Sequence, residues 1–443
     1  MQNASSQDLT FESLKRPLAY RFFNTLGSSL NTIGLAKTVL DVDSLLETAK
    51  KATRLDDFGS QSFHVPLNQL VDSLKSEAQL NFVGKNLSKK MLVELLSERL
   101  RVQEYIKRNP ETLSEKINRP LFVIGMPRSG TSFLFNLLCQ DTNSSCIKYW
   151  ELYNPPQSFI QDKQLDQAIA EKALLEKCTK ELVKKKRLMP QLDQIHAIDA
   201  LGPYECFHLL ERDFVCHTFG LYANVPTYIE RIESDWMKAD PEASTSLYKR
   251  YYQQIQVIKN LHSQLLYSQG KPTQEVDKHW VFKSPVHLWA IDEISNTLPD
   301  ASFVHIHRDP LSVIPSICSF IALGRAVLSD QVDLKKIGKT ALHRWSTAID
   351  RALNIRREHP SLKIIDVHYG RFIKDPVNAV RAIYHQLDYD FPSKLEENLS
   401  QYIYKSKKSG RGQKNKYSLQ QFGLEESEVR DSFQNYYQFL SSI

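Results

Sequence analysis

Phe122-Val123-Ile124-Gly125-Met126-Pro127-Arg128-Ser129-Gly130-Thr131-Ser132 reads as the end of an apolar strand, a turn bounded by glycines, and the opening of a helix. The apolar run from Pro120 to Ile124 is short, as a buried strand is. Thr131 to Leu138 carries the apolar residues of a helix. Gly125 and Gly130 bracket four residues, the spacing of a nucleotide-phosphate loop, but Thr131 stands where a triphosphatase needs Lys. The cation is Arg128 instead. A glycine-bounded turn can aim several backbone N–H groups at an anion. The helix start adds unpaired N–H groups and the positive end of its dipole. Thr131 and Ser132 add hydroxyls, and Arg128 offers a permanently charged planar fork. The flanking strand and hydroxyl-rich helix start favour an anion site over a surface turn. Asp366 is the nearest counterpart of a magnesium-holding acid, and it lies far down the chain, which disfavours triphosphate chemistry.

Outward from this loop, the pattern alternates. Apolar runs at His279–Phe282, Ser302–Ile306 and Leu362–Val367 read as strands, followed by helices over Val286–Asn296, Leu311–Phe320 and Pro376–Leu387. Such alternation predicts an α/β fold of P-loop-like, three-layer type with a mostly parallel central sheet. Residues from about 10 to 115 read as mainly helical, with helices over Asn68–Leu80 and Ser88–Leu100 and a turn at Gly84. The expected organisation is therefore a helical extension over 1–115 and an α/β domain over 116–443 with a helical tail. Further helices are expected over 157–187, which ends in the basic cluster Lys184 to Arg187, over Pro203–Phe214 and Pro241–Leu266, and over Glu425–Leu440.

Composition narrows the classes. Hydrophobic residues are 42% and charged residues 24%, which excludes the disordered class. The net charge of +6 suits a polyanionic ligand, but the basic residues are dispersed and no nucleic-acid motif occurs. Six cysteines form no CxxC pair and read as reduced core residues, although pairing of Cys139 with Cys146 stays open. The polar N-terminus lacks the apolar stretch of a signal peptide, and no run approaches the roughly 18 apolar residues of a spanning helix. A cytoplasmic protein without a transmembrane segment is expected.

With these residues in view, the sequence resembles the sulfotransferases that use 3′-phosphoadenosine 5′-phosphosulfate, in their broad bacterial-type branch. Arg128, Ser129, Gly130, Thr131 and Ser132 resemble that family's 5′-phosphosulfate loop. Arg308 and Ser316, eight residues apart, are similar to its 3′-phosphate pair. Lys283-Ser284-Pro285 resembles its strand-end lysine segment, and Gly202-Pro203-Tyr204-Glu205 its acidic segment. The stretch Lys414 to Leu419 with Phe422-Gly423-Leu424 is similar to its tail, and the preceding basic loop adds Lys408 and Arg411 as expected nucleotide contacts with Lys414. In the cytosolic relatives a catalytic histidine follows the lysine by two residues; here Pro285 holds that place and His287 comes two residues later.

The resemblance implies transfer of a sulfuryl group from that donor to a hydroxyl, or an amine, of a small-molecule, lipid-like or carbohydrate acceptor. Adenosine 3′,5′-bisphosphate is the implied product, and no metal is implied. Arg128 and Lys283 are expected to offset charge on the leaving group, with Glu205 first and His287 second as the base. His305 and His307 share one strand face, but two histidines without a third ligand make a weak zinc site. Two other readings are weighed: a nucleotide-binding interaction protein on a degenerate fold, and a P-loop kinase. Self-association remains open.

Overall fold

The computed structural model describes residues 18–32, 38–153, 167–188, 198–237, 241–268, 278–408 and 417–443. Five strands form one sheet: β1 Leu121–Ile124, β2 Ser144–Cys146, β3 His279–Lys283, β4 Ser302–His307 and β5 Lys363–His368. Their order is β2-β3-β1-β4-β5, and every pairing is parallel. All residues of β1, β3 and β4 are buried, as expected of strands covered on both faces.

The two-residue period of a strand sorts the side chains into two cores. Phe122, Ile124, Phe282 and Phe303 face one side, where they join Leu45, Leu67, Leu92 and Leu96 of the N-terminal helices. Leu121, Val123, Val281 and Val304 face the other, against Leu134, Leu138, Val380 and Ile383. Helices on both faces of a parallel sheet give the expected three layers, with the N-terminal helical extension built into the first.

Several element boundaries differ from the sequence reading, for local reasons. The helix expected from Asn68 runs over His64–Ser76, and the one expected from Ser88 runs over Phe82–Arg108. Gly84 is not the turn between them. It lies inside the second helix, where a Cβ would meet the Leu328 carbonyl oxygen at 1.9 Å. Its missing side chain permits close helix packing; Asn81 marks the true start, its Oδ1 accepting from the Gly84 N–H. The expected helix over Pro203–Phe214 shrinks to His208–Glu211. The backbone donors of Tyr204 and Cys206 instead reach the carbonyls of Ile147 and Lys283, which draws that segment onto the sheet edge. The helix expected over Val286–Asn296 breaks at Ala290 into a 3₁₀ turn, Pro285–Trp289, and the helix Ile291–Thr297. The final helix breaks at the buried Phe433.

The helix Leu334–Glu358 was not anticipated, although Ile337, Ala341, Trp345, Ala348, Ile349 and Ala352 recur at helical spacing and are buried. Strand β2 has no apolar run to betray it. The expectation about membrane-length runs is also corrected. The helix Pro310–Leu328 is long and apolar enough to cross a membrane, yet 67% of its apolar window is buried inside the fold, where it packs as a core helix. All six cysteines, Cys139 and Cys146 included, are free thiols. Of the expected helix over 157–187, the part before residue 167 lies outside the described residues.

Candidate active site

The parallel order places β1 between β3 and β4, and the loop after β1 therefore opens between the carboxyl ends of its two neighbours. Open α/β sheets bind ligands at such a switch point. Gly125 has φ 142°, and a Cβ there would meet the Ile306 carbonyl oxygen at 2.8 Å. Arg128 itself takes the left-handed conformation at φ 67°. Its carbonyl is held by Arg308, whose Nη1 donates to it at 2.9 Å. Gly130, at φ 103°, ends the turn and caps the helix Thr131–Leu138. The Ser129 hydroxyl donates to the Met126 carbonyl and is fully buried, so it closes the turn instead of facing a ligand. Thr131 is also buried, against Gly125.

Three cations gather around this turn. Arg128 Nε donates to Ser316 Oγ at 3.2 Å. The Arg128 guanidinium is depressed below its ordinary range by burial, with Arg308 opposing it in the same direction. Arg308 stacks at 4.2 Å over the ring of Tyr369, which also lies against Gly130. Arg308 is fixed at the end of β4, and Asp309 caps the following helix through the Leu311 N–H. Ser316 lies on that helix. Arg128 bridges the two residues, its carbonyl accepting from Arg308 and its Nε donating to Ser316.

Lys283 provides the third cation. The register Val123↔Lys283 sets it at the end of β3, beside the loop mouth. Ser284 Oγ accepts from the Val286 N–H at 3.2 Å and Pro285 opens the turn, which stops the strand at Lys283. Lys283 Nζ donates to Ser132 Oγ at 3.2 Å and forms an ion pair with Glu205 Oε1. Glu205 arrives there because Cys206 N–H bonds the Lys283 carbonyl. A carboxylate, an ammonium and a hydroxyl thus converge at the helix start.

His287 is placed differently. It is completely buried, behind β3. The Cys206 thiol donates to the Lys283 carbonyl, leaving its sulfur to receive His287 Nε2 at 3.2 Å, while Tyr248 reaches Nδ1 at 3.0 Å. That pattern suits a neutral ring. Burial, with Lys283 adding repulsion, pushes its pKa down to about 3. Both ring nitrogens are occupied within the core.

Lys408 is exposed at the end of the helix Ser393–Lys408, while Arg411 and Lys414 lie outside the described residues. Phe422 and Leu424 of the tail are buried, and Phe422 packs on Gly338 of the helix Leu334–Glu358. Asp366 supplies the third member that His305 and His307 lacked, with ligand atoms within 4.8 Å of one another. Its two oxygens, however, both accept from Arg356 at 2.6 Å, and Oδ1 also meets His307 Nε2. A carboxylate committed to a guanidinium disfavours a cation there, and equally removes Asp366 from any magnesium role. Sequence reasoning missed Tyr369, a lone tyrosine with no motif around it.

The sequence matches a model of the sulfotransferase family over residues 120–393. Among curated proteins, none matches it. Its fold is similar to the crystal structure of a Mycobacterium tuberculosis sulfotransferase, STF1, at TM-score 0.74 and 26% identity, covering 90% of this chain and all of that one. A Mycobacterium avium sulfotransferase, STF9, aligns at TM-score 0.73 and 22% identity, over 91% of this chain and 97% of the other, a likeness of fold.

Proposed function

The chain belongs to the sulfotransferase family, and from that premise we propose that it moves a sulfuryl group from 3′-phosphoadenosine 5′-phosphosulfate to a hydroxyl of a small-molecule, lipid-like or carbohydrate acceptor. The observation that carries this reading is the cluster Arg128–Ser316–Arg308 on one side of the glycine turn, with Lys283–Ser132–Glu205 on the other. A donor phosphorylated at both the 3′ and 5′ positions needs two adjacent anion sites joined at a fixed distance.

In the proposed reaction the acceptor oxygen attacks sulfur in line. The new O–S bond forms as the bond from sulfur to the 5′-phosphate oxygen breaks, and adenosine 3′,5′-bisphosphate leaves. Lys283 and the N–H groups at the start of the helix Thr131–Leu138 offset the charge on the leaving oxygen. Arg308 and Ser316 hold the 3′-phosphate, which sets the reacting end. Arg128, bonded to Ser316 and to Arg308, offsets the negative charge of the donor beside Lys283. Glu205 takes the acceptor proton; it shares the cleft with Lys283, whereas His287 is occupied inside the core.

Calorimetry with adenosine 3′,5′-bisphosphate and with ATP–Mg tests the donor assignment. Bisphosphate binding that weakens in Arg308→Ala is the expected result. Preference for ATP–Mg, or no binding of the bisphosphate, overturns it.

A further inference from the structure

Outside the donor cluster, His208 opens the short helix His208–Glu211, three residues beyond Glu205. It is buried, and each ring nitrogen meets a different carboxylate: Nδ1 lies 2.7 Å from Glu211 Oε2 and Nε2 lies 2.8 Å from Glu98 Oε2. A neutral imidazole has one N–H and one lone pair. A carboxylate oxygen faces each ring nitrogen, and the imidazolium presents an N–H to both of them.

The carboxylates come from different parts of the chain. Glu98 belongs to the N-terminal helix Phe82–Arg108, and Glu211 to the same short segment as His208. Arg212 Nε also donates to Glu98 Oε2 at 2.9 Å, and its Nη1 reaches Gln254 of the helix Pro241–Ser268. Thr218 donates to Glu211 Oε1. Tyr153 packs at 4.1 Å on the His208 ring, and the partly buried Arg101 adds positive charge beside Glu98. Alongside, Arg99 and Arg250 hold Asp213 at 2.7 and 2.6 Å.

Resting on the proposed sulfuryl transfer, we propose that His208 is a positioning residue: as an imidazolium clamped between Glu98 and Glu211, it fastens the Glu205-bearing segment to the N-terminal helices. Those helices then belong to the acceptor side of the catalytic unit. Burial alone would lower the pKa of His208, but Glu98 and Glu211 outweigh it and raise it above the ordinary 6.5. The clamp is therefore complete below that value and loosens as pH climbs through the elevated one.

The test uses full-length protein carrying 15N-labelled histidine. The His208 signal, assigned by its loss in His208→Gln, is expected to be predominantly that of an imidazolium at pH 6.5. A neutral tautomer there overturns the proposal. Turnover in His208→Gln is expected to fall on the order of 10- to 100-fold, with donor KM unchanged and the alkaline loss of turnover abolished. Wild-type turnover in that variant overturns the proposal. Should His208→Gln fail to fold, His208→Asn supplies the assignment and Glu98→Gln decides: loss of the imidazolium at pH 6.5 supports the clamp, and an unchanged signal overturns it. Bisphosphate binding, measured alongside, reports on the donor assignment separately. An imidazolium in a protein that binds no bisphosphate leaves the clamp standing and sinks the transfer reading alone.

Discussion

At the scale of single residues, burial and partners separate groups that look alike in sequence. Lys283 and His287 are four residues apart in one motif. Lys283 reaches Ser132 and Glu205 at the loop mouth; His287 has both nitrogens bonded in the core. Lys283→Ala is expected to lower turnover about 100- to 1000-fold, the usual loss when a preorganised donor to a developing anion is removed. Near-wild-type turnover in a steady-state assay would remove Lys283 from the chemistry. His287→Ala is expected to lower stability instead, by about 2–5 kcal/mol in urea unfolding, because it leaves a cavity and strips partners from Tyr248 and Cys206. With its pKa near 3, His287 is neutral throughout the working range and contributes no titration near pH 6 or 7. Glu205→Gln should lower turnover about 100-fold or more while bisphosphate affinity holds, as loss of a general base does. Turnover near wild type in that variant assigns the base elsewhere.

Among elements, glycines and caps decide how the layers meet. Gly84 lets the helix Phe82–Arg108 lie against the end of the helix Pro310–Leu328, and Gly338 lets the helix Leu334–Glu358 lie against the Phe422 turn, where a Cβ would meet the carbonyl oxygen at 2.2 Å. Neither glycine touches the candidate site. Gly338→Ala should cost about 1–3 kcal/mol of stability, the usual penalty for overpacking, without changing bisphosphate affinity. A variant as stable as wild type in urea would show that the tail can shift aside. The strand ends illustrate the same point for function: Ser284 and Asp309 cap the turns after β3 and β4, and those caps set Lys283 and Arg308 at the sheet's carboxyl edge.

For the molecule as a whole, charge networks tie the layers together, and their acids respond to pH in concert. Burial works to raise Glu98, Glu233 and Asp366, yet their cationic partners outweigh it. His208 and Arg212 hold Glu98 near 2, and His217 with Arg344 hold Glu233 near 2. Asp366 is held well below the usual carboxylate range by His307 and Arg356. A depressed carboxyl stabilises the fold above its unfolded pKa and loses that contribution as pH falls through the folded value. Stability in urea should thus decline steadily from about pH 4.5 toward pH 2. A flat profile across that window would mean that these networks add nothing to the fold.

The sequence by itself determined the phosphate-type loop, the strand before it and the parallel alternation around it. These rest on periodicity and turn chemistry, which act over a few residues and are written locally. The family resemblance, carried by short motifs, also named Arg308, Ser316, Lys283 and Glu205. Only the tertiary structure decided their pairings: Arg128 with Ser316, Lys283 with Glu205, and His208 with Glu98 span 188, 78 and 110 residues. The same holds for the sheet order and for the occupied state of His287. Such contacts depend on which strands lie side by side and which layer covers them, and no local pattern of residues carries that information.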